Sequence, residues 1–262
     1  MGNPGSEPVV KELQLVVTAF VGLAAGVLNY AAASGSIVPF LVMVWFGIPM
    51  PVANATVLAA TPLSFLRALW EIKDVPLRVM AVPLVFSALA SMVGAFIVAE
   101  LVTPTQFRAV TPYVLVGCVV VLLFFQRVRQ RIDDGARRER FSPKSTRALL
   151  TMGYSVTSLY AGAFGASVGV MILTVASRLT SWPWKQINAT KNLLCLVTSG
   201  IGFVVYAASD LVLWPVWAVL AVSMAVGGVL GQKLTDHLPA QVLRVLVATV
   251  TTIAAGALVL TS

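Results

Sequence analysis

The sequence predicts an all-α polytopic membrane protein, built as two inverted repeats of about five helical segments each. Three observations predict it: long apolar runs, one concentrated basic loop, and a self-similarity at a spacing of 134 residues. The 262 residues are 58% hydrophobic and 11% charged, where a soluble domain carries about 25% charged residues. Mean hydropathy is +0.91. Apolar stretches cover residues 13–46, 52–72, 76–102, 106–126, 148–180, 186–208, 211–234 and 240–261. Each reaches the roughly 20 residues that cross a bilayer as a helix. The breaks between them, "GIPMP", "KDVP", "TPTQ", "TSWPW", "SDLVLWP" and "DHLPA", carry turn chemistry. No period-2 alternation marks a β-barrel, and an open sheet leaves its backbone unsatisfied in lipid.

The chain opens with a polar tail, residues 1–12. The apolar run behind it ends in "AAASGS" like a signal peptide. It lacks a basic leader and is followed by many spans, so it is expected to be retained. Residues 13–46 and 148–180 are too long for one crossing and too short for two. Each breaks at small residues, Ala31 to Ser36 in the first and Gly162 to Gly169 in the second. Each is expected to form two shortened helices that meet inside the membrane and return to the side they left, a hairpin whose backbones approach closely at the small residues.

Eight of the 18 Lys and Arg residues lie between Arg127 and Arg147, with Asp133, Asp134 and Glu139 among them. This reads as a cytoplasmic loop, 127–147, with affinity for anionic lipid head groups rather than for nucleic acid. With that loop inside, the hairpin arrangement keeps 16 of the 18 basic residues inside, leaving Lys11 and Arg108 out. Straight crossings keep 12 inside, so the positive-inside rule favours hairpins. The first transmembrane repeat is then 13–126 and the second 148–262. Both termini fall on the periplasmic side. Five segments per half, an odd number, makes the halves inverted.

The repeat can be read residue by residue. A shift of 134 places Gly35 on Gly169, Pro49 on Pro183, Asn54-Ala55-Thr56 on Asn188-Ala189-Thr190, and Gly94 on Gly228. Inverted repeats are a recurring plan for secondary transporters, with substrate at the midplane where helices are interrupted.

Two readings compete for the Asn-Ala-Thr triplets. Asn54 and Asn188 follow proline turns and suit helix N-caps. Alternatively Asn54, Thr56, Asn188 and Thr190 face a shared cavity and contact an anion. The triplet also matches a glycosylation sequon, but the topology puts Asn54 outside and Asn188 inside, which leaves no common glycan role. Asn188, Asn192, Cys195 and Ser199 form one polar stripe at helical spacing, which in lipid faces protein or a cavity. Lys191 lies beside it and either snorkels to the interface or turns inward as the cationic contact. At the hairpin tips, Ser34-Gly35-Ser36 and Ser167-Val168-Gly169 either permit a tight turn or start helices whose free N–H groups favour an anion.

Glu71, Asp74, Glu100, Asp210 and Asp236 fall near segment ends, so no carboxylate relay is visible. Pro62 is expected to kink its helix. Six tryptophans lie near segment ends as an interfacial belt. Cys118 and Cys195 read as packing residues. The single His237 argues against a His-based metal site, and no metal or cofactor is expected. No nucleophile with a base is placed for catalysis, so the chain reads as a transporter of a small anion and not as an enzyme. A channel, or a transporter of some other anion, is the alternative. The sequence sets neither oligomeric state nor coupling ion.

The stretches "GLAAGVLNYAAASGS" (22–36), "GIPMPVANAT" (47–56), "YAGAFGASVG" (160–169) and "SWPWKQINATKNLL" (181–194) resemble the sulfite exporter TauE/SafE family over nearly the whole chain. In that family each half has a Gly-rich first segment, a G-x-P type turn and an A-x-x-T/S type helix. Here Ala and Ser replace much of the glycine run in the first half. The resemblance implies export of sulfite or an organosulfonate such as sulfoacetate across a bacterial inner membrane.

Overall fold

Both long stretches break where small residues cluster. In the computed structural model, which describes residues 12–32, 35–114, 116–117 and 142–237, α1 spans Glu12–Ala32 and α2 spans Ile37–Trp45. In the second half, α7 spans Pro143–Ala163 and α8 spans Val168–Leu179. The arms are unequal, whereas two shortened helices were expected. Each first arm has 21 residues, about 31 Å of helix, and is itself long enough to cross a bilayer. α7 gains its extra turn by starting before the apolar run. Ser142 caps it, its Oγ accepting from Ser145 N at 3.3 Å, and Pro143 occupies the first turn, where its missing N–H costs nothing. Residues 143–147 of the predicted basic loop are therefore helical; 118–141 lie outside the described residues, as do the 1–11 tail, Ser34 and the 240–261 segment.

The remaining helices are α3 (Met50–Ala60), α4 (Ala68–Glu71), α5 (Leu77–Phe96), α6 (residues 104–114), α9 (Trp184–Ala207) and α10 (Trp214–His237). No strand occurs among the described residues. Pro62 ends α3 as α-helix: the chain tightens to a 3-10 turn, Thr61–Phe65. The direction changes after it, with a 46° bend between Met50–Phe65 and Ala68–Asp74. By length and composition Glu12–Tyr30, Leu77–Leu101, Trp184–Ala207 and Trp214–Lys233 can each cross a membrane, and the bent Met50–Asp74 pair makes a fifth. The outer face of α5, with Val85, Phe86, Leu89, Met92, Val93 and Phe96, is exposed and apolar, as a lipid-facing helix requires. Trp45, Trp70, Trp184 and Trp214 are exposed near helix ends, in keeping with an interfacial belt.

Two helix pairs carry most of the packing between halves: α1 lies on α10, and α5 lies on α7. Glycines set the approach. A Cβ on Gly94 of α5 would stand 1.9 Å from Leu159 O of α7, and one on Gly227 of α10 would stand 2.2 Å from Leu23 O of α1. Neither space exists for any other residue, so backbones touch directly, as small residues allow in lipid. The 134-residue shift carries α1 onto α7 and α5 onto α10, so the two contacts are counterparts. α3 and α9 meet between them, and α3 is buried from Ala53 to Ala60.

Candidate functional site

Asn54 stands one turn inside α3, which begins after Pro49 without a side-chain cap. Likewise α9 begins after Pro183 without one. The capping reading of the Asn-Ala-Thr triplets is thereby overturned: proline supplies the start of each helix, and the asparagines sit deeper. Asn54 Nδ2 donates to Ala163 O at 2.9 Å. Tyr206 Oη donates to Gly162 O at 2.9 Å and reaches Ala163 O at 3.5 Å. The reason lies in α7. A helix leaves its last four carbonyls without intrahelical partners, and α7 stops at Ala163 in the protein interior. The chain then turns sharply, with Gly165 and Ser167 in the left-handed region at φ 67° and 59°. Donors from α3 and α9 satisfy the carbonyls this turn strands.

A small crevice opens at this junction, with room for about one water molecule. Its polar lining is Ser36 and Asn54; its apolar lining includes Phe40, Val57, Phe164 and Ala166. Phe164 stacks on Phe107 at 5.0 Å and meets Phe40 edge-on at 6.0 Å. Ser36 opens α2 without capping it, and its hydroxyl reaches Gly165 O only at 3.4 Å. Ser167 precedes α8 fully buried, and its Oγ has no partner. Gly169, in the first turn of α8, is buried as well. Thr56 is bound elsewhere: its Oγ1 donates to Val52 O at 2.7 Å and accepts from Leu213 N at 3.0 Å, which holds the approach to α10.

The first hairpin tip is served from α9. Lys191 is fully buried, and its Nζ donates to Tyr30 O at 2.7 Å. Tyr30 lies in the last turn of α1, so the ammonium meets an orphan carbonyl at the negative end of a helix dipole. Of the two readings for Lys191, snorkelling is excluded. The Tyr30 hydroxyl donates to Glu71 Oε1, and Asn192 Nδ2 donates to Glu71 Oε2 at 2.8 Å. Asn29 braces the same tip: its Oδ1 accepts from Gly35 N at 2.8 Å, and its Nδ2 donates to Ser64 Oγ at 3.2 Å. Thr190 is buried with its hydroxyl unpartnered. Asn188 is half-buried and does not line the crevice.

The structure thus gathers Ser36 and Asn54 at one tip, and Lys191 and Asn192 at the other. The Thr56 hydroxyl is engaged instead with Val52 O and Leu213 N, and Asn188 lies outside the crevice lining. Four residues were missed in the sequence. Asn29 and Tyr30 stand immediately before the "AAASGS" break, where an interrupted helix must satisfy its final carbonyls. Tyr206 carries no local signal. Glu71 falls at the end of an apolar run and reads only as lying near a segment end, but the bend after α3 brings it back against α9.

The profile of the Sulfite exporter TauE/SafE family matches residues 18–258. No curated protein and no solved structure matches the chain. The match takes in both interrupted stretches and both Asn-Ala-Thr helices, and the fold is that of a multi-pass membrane protein; the chain belongs to the sulfite exporter TauE/SafE family, a family of membrane transporters.

Proposed function

We propose that the protein exports a small sulfur oxyanion, sulfite or an organosulfonate such as sulfoacetate, across the bacterial inner membrane. The anion binds midway, between two inverted repeats. The observation that carries this reading is the pair of interrupted helices whose buried ends are each met by a polar side chain from the opposite half: Asn54 at Ala163, Lys191 at Tyr30. Helices α2 and α8 start at those breaks, and their N-terminal N–H groups and dipoles favour negative charge. The counterpart pairings α1–α10 and α5–α7 support the repeat. Their inverted sense rests on the charge count, which places the 127–147 loop in the cytoplasm and both termini in the periplasm.

The crevice holds about one water molecule, less than an oxyanion needs. Transport requires the tips to part. Asn54, Lys191, Ser36 and the unpartnered Ser167 and Thr190 then become available to the anion. The test is thermal unfolding of the purified protein in detergent against sulfite, sulfate, sulfoacetate, taurine, acetate and chloride. A ligand of the folded state raises stability by about 2.7 kcal/mol at a hundred times its dissociation constant. A selective shift with sulfite or a sulfonate, reduced in Asn54→Ala, is expected. A shift with chloride or acetate alone would replace the substrate class.

A further inference from the structure

Glu71 holds a place that suits an anion from outside. Two donors converge on its carboxylate from elements far apart in sequence: the Tyr30 hydroxyl on α1 and Asn192 Nδ2 on α9, the latter at 2.8 Å. Lys191, the neighbour of Asn192, brings an ammonium to the same tip. Its Nζ lies 2.7 Å from Tyr30 O and 5.9 Å from the Tyr30 ring centroid. An ammonium carries three N–H donors, and Tyr30 O accepts one. Ammonium and carboxylate form no direct ion pair with each other; Tyr30 stands between them, its carbonyl toward one and its hydroxyl toward the other. The Oδ1 of Asn192, buried, has no partner while Glu71 is in place.

Burial distinguishes the two sides of this cluster. Lys191 and Asn192 are 0% exposed, whereas Glu71 is only half-buried. It reaches in from the rim, on the four-residue α4 beyond the 46° bend. A carboxylate so placed borders water, while the donors behind it are buried. Were it displaced, hydroxyl, amide N–H and ammonium would form an uncompensated positive cradle. A sulfite or sulfonate group offers the same charged oxygen acceptors as a carboxylate and fits such donors as well.

We propose that Glu71 is a tethered stand-in for the transported anion. In this structure it holds the Tyr30 and Asn192 donors, with the Lys191 ammonium beside them on Tyr30 O. An incoming oxyanion takes those donors and expels Glu71, which frees α4 from α9. This deepens the export reading and rests on it for the identity of the anion.

The test is calorimetric titration of the detergent-purified full chain with sulfite, and separately with sulfate. Competition by a tethered group lowers apparent affinity by the fraction of time the site is free, so a site filled nine-tenths of the time binds about tenfold more weakly. Glu71→Gln is expected to bind sulfite about tenfold more tightly than wild type, and Lys191→Met in the Glu71→Gln background is expected to abolish the gain. Unchanged or weaker binding in a folded Glu71→Gln protein overturns the proposal. Should that variant not fold, Glu71→Asp keeps the charge but draws it back from both donors; tighter sulfite binding supports the stand-in, and unchanged binding overturns it. Wild-type sulfite transport in vesicles separates the two readings. Transport without a gain in the variant removes the stand-in alone. A gain for sulfite and sulfate without wild-type transport removes the export reading and leaves the cradle as an anion site.

Discussion

Asn54 and Lys191 do the same work by different chemistry. Each donates to a carbonyl that an interrupted helix leaves stranded, Ala163 O in one case and Tyr30 O in the other. Asn54→Ala removes one such bond while Tyr206 still reaches the carbonyl at 3.5 Å. Inter-helix hydrogen bonds in membranes contribute roughly 0.6–1.7 kcal/mol, so unfolding in detergent should show a loss within that range. Lys185 makes an informative control for Lys191. It pairs with Asp74 at 3.0 Å with its side chain 75% exposed, and exposed pairs contribute only about 0–1 kcal/mol. Sulfite flux into vesicles should fall more than about tenfold in Lys191→Ala, the order of effect expected from losing a buried charged contact, and should stay within about twofold in Lys185→Ala. Equal, small effects would leave Lys191 a purely structural cap. The polar residues of α9 were legible because Asn and Lys are costly in an apolar helix. Which way they turned was not, since the acceptor for Lys191 lies 161 positions away in the chain.

At the scale of elements, the interruptions decide what the helices can do. The breaks could be read in advance because small residues gather at Ala31–Ser36 and Gly162–Gly169 in stretches too long for one crossing. The unequal arms could not, because α7 takes its first turn from the polar "SPKS" segment by capping and not from hydropathy. The second tip is the more constrained. Gly165 has φ +67°, and a Cβ there would meet Leu58 Cδ2 at 2.1 Å. Gly47 has φ +84° with nothing within 4 Å. Left-handed backbone costs other residues about 1–2 kcal/mol, so Gly47→Ala should lose about that much. Gly165→Ala should lose more, through the added clash with Leu58. Melting temperatures of the two variants in one detergent check the order; a milder loss at Gly165 would mean the tip is looser than the geometry says.

For the whole molecule, the halves are stitched together rather than laid side by side. α1 of the first half packs on α10 of the second, and α5 of the first packs on α7 of the second. Gly227→Leu should separate the α1–α10 pair, because a Cβ there already stands 2.2 Å from Leu23 O. Loss of the folded species on size exclusion in detergent checks this. The matching helix order of the two halves was readable from the Asn-Ala-Thr triplets and their 134-residue spacing, since identical polar triplets at proline turns are conspicuous in an apolar chain. The exchange of partners between halves was not, because the small-residue faces of α1, α5, α7 and α10 fit one another by shape and leave no polar or charged mark in sequence. The central claim is that this stitched fold opens to carry a sulfur oxyanion. The most direct measurement is counterflow of radiolabelled sulfite in vesicles containing the purified chain. Saturable exchange, slowed in both Asn54→Ala and Lys191→Ala and competed by sulfoacetate, is the predicted result. Sulfite movement no faster than in empty vesicles, from protein that is folded and inserted, would contradict it.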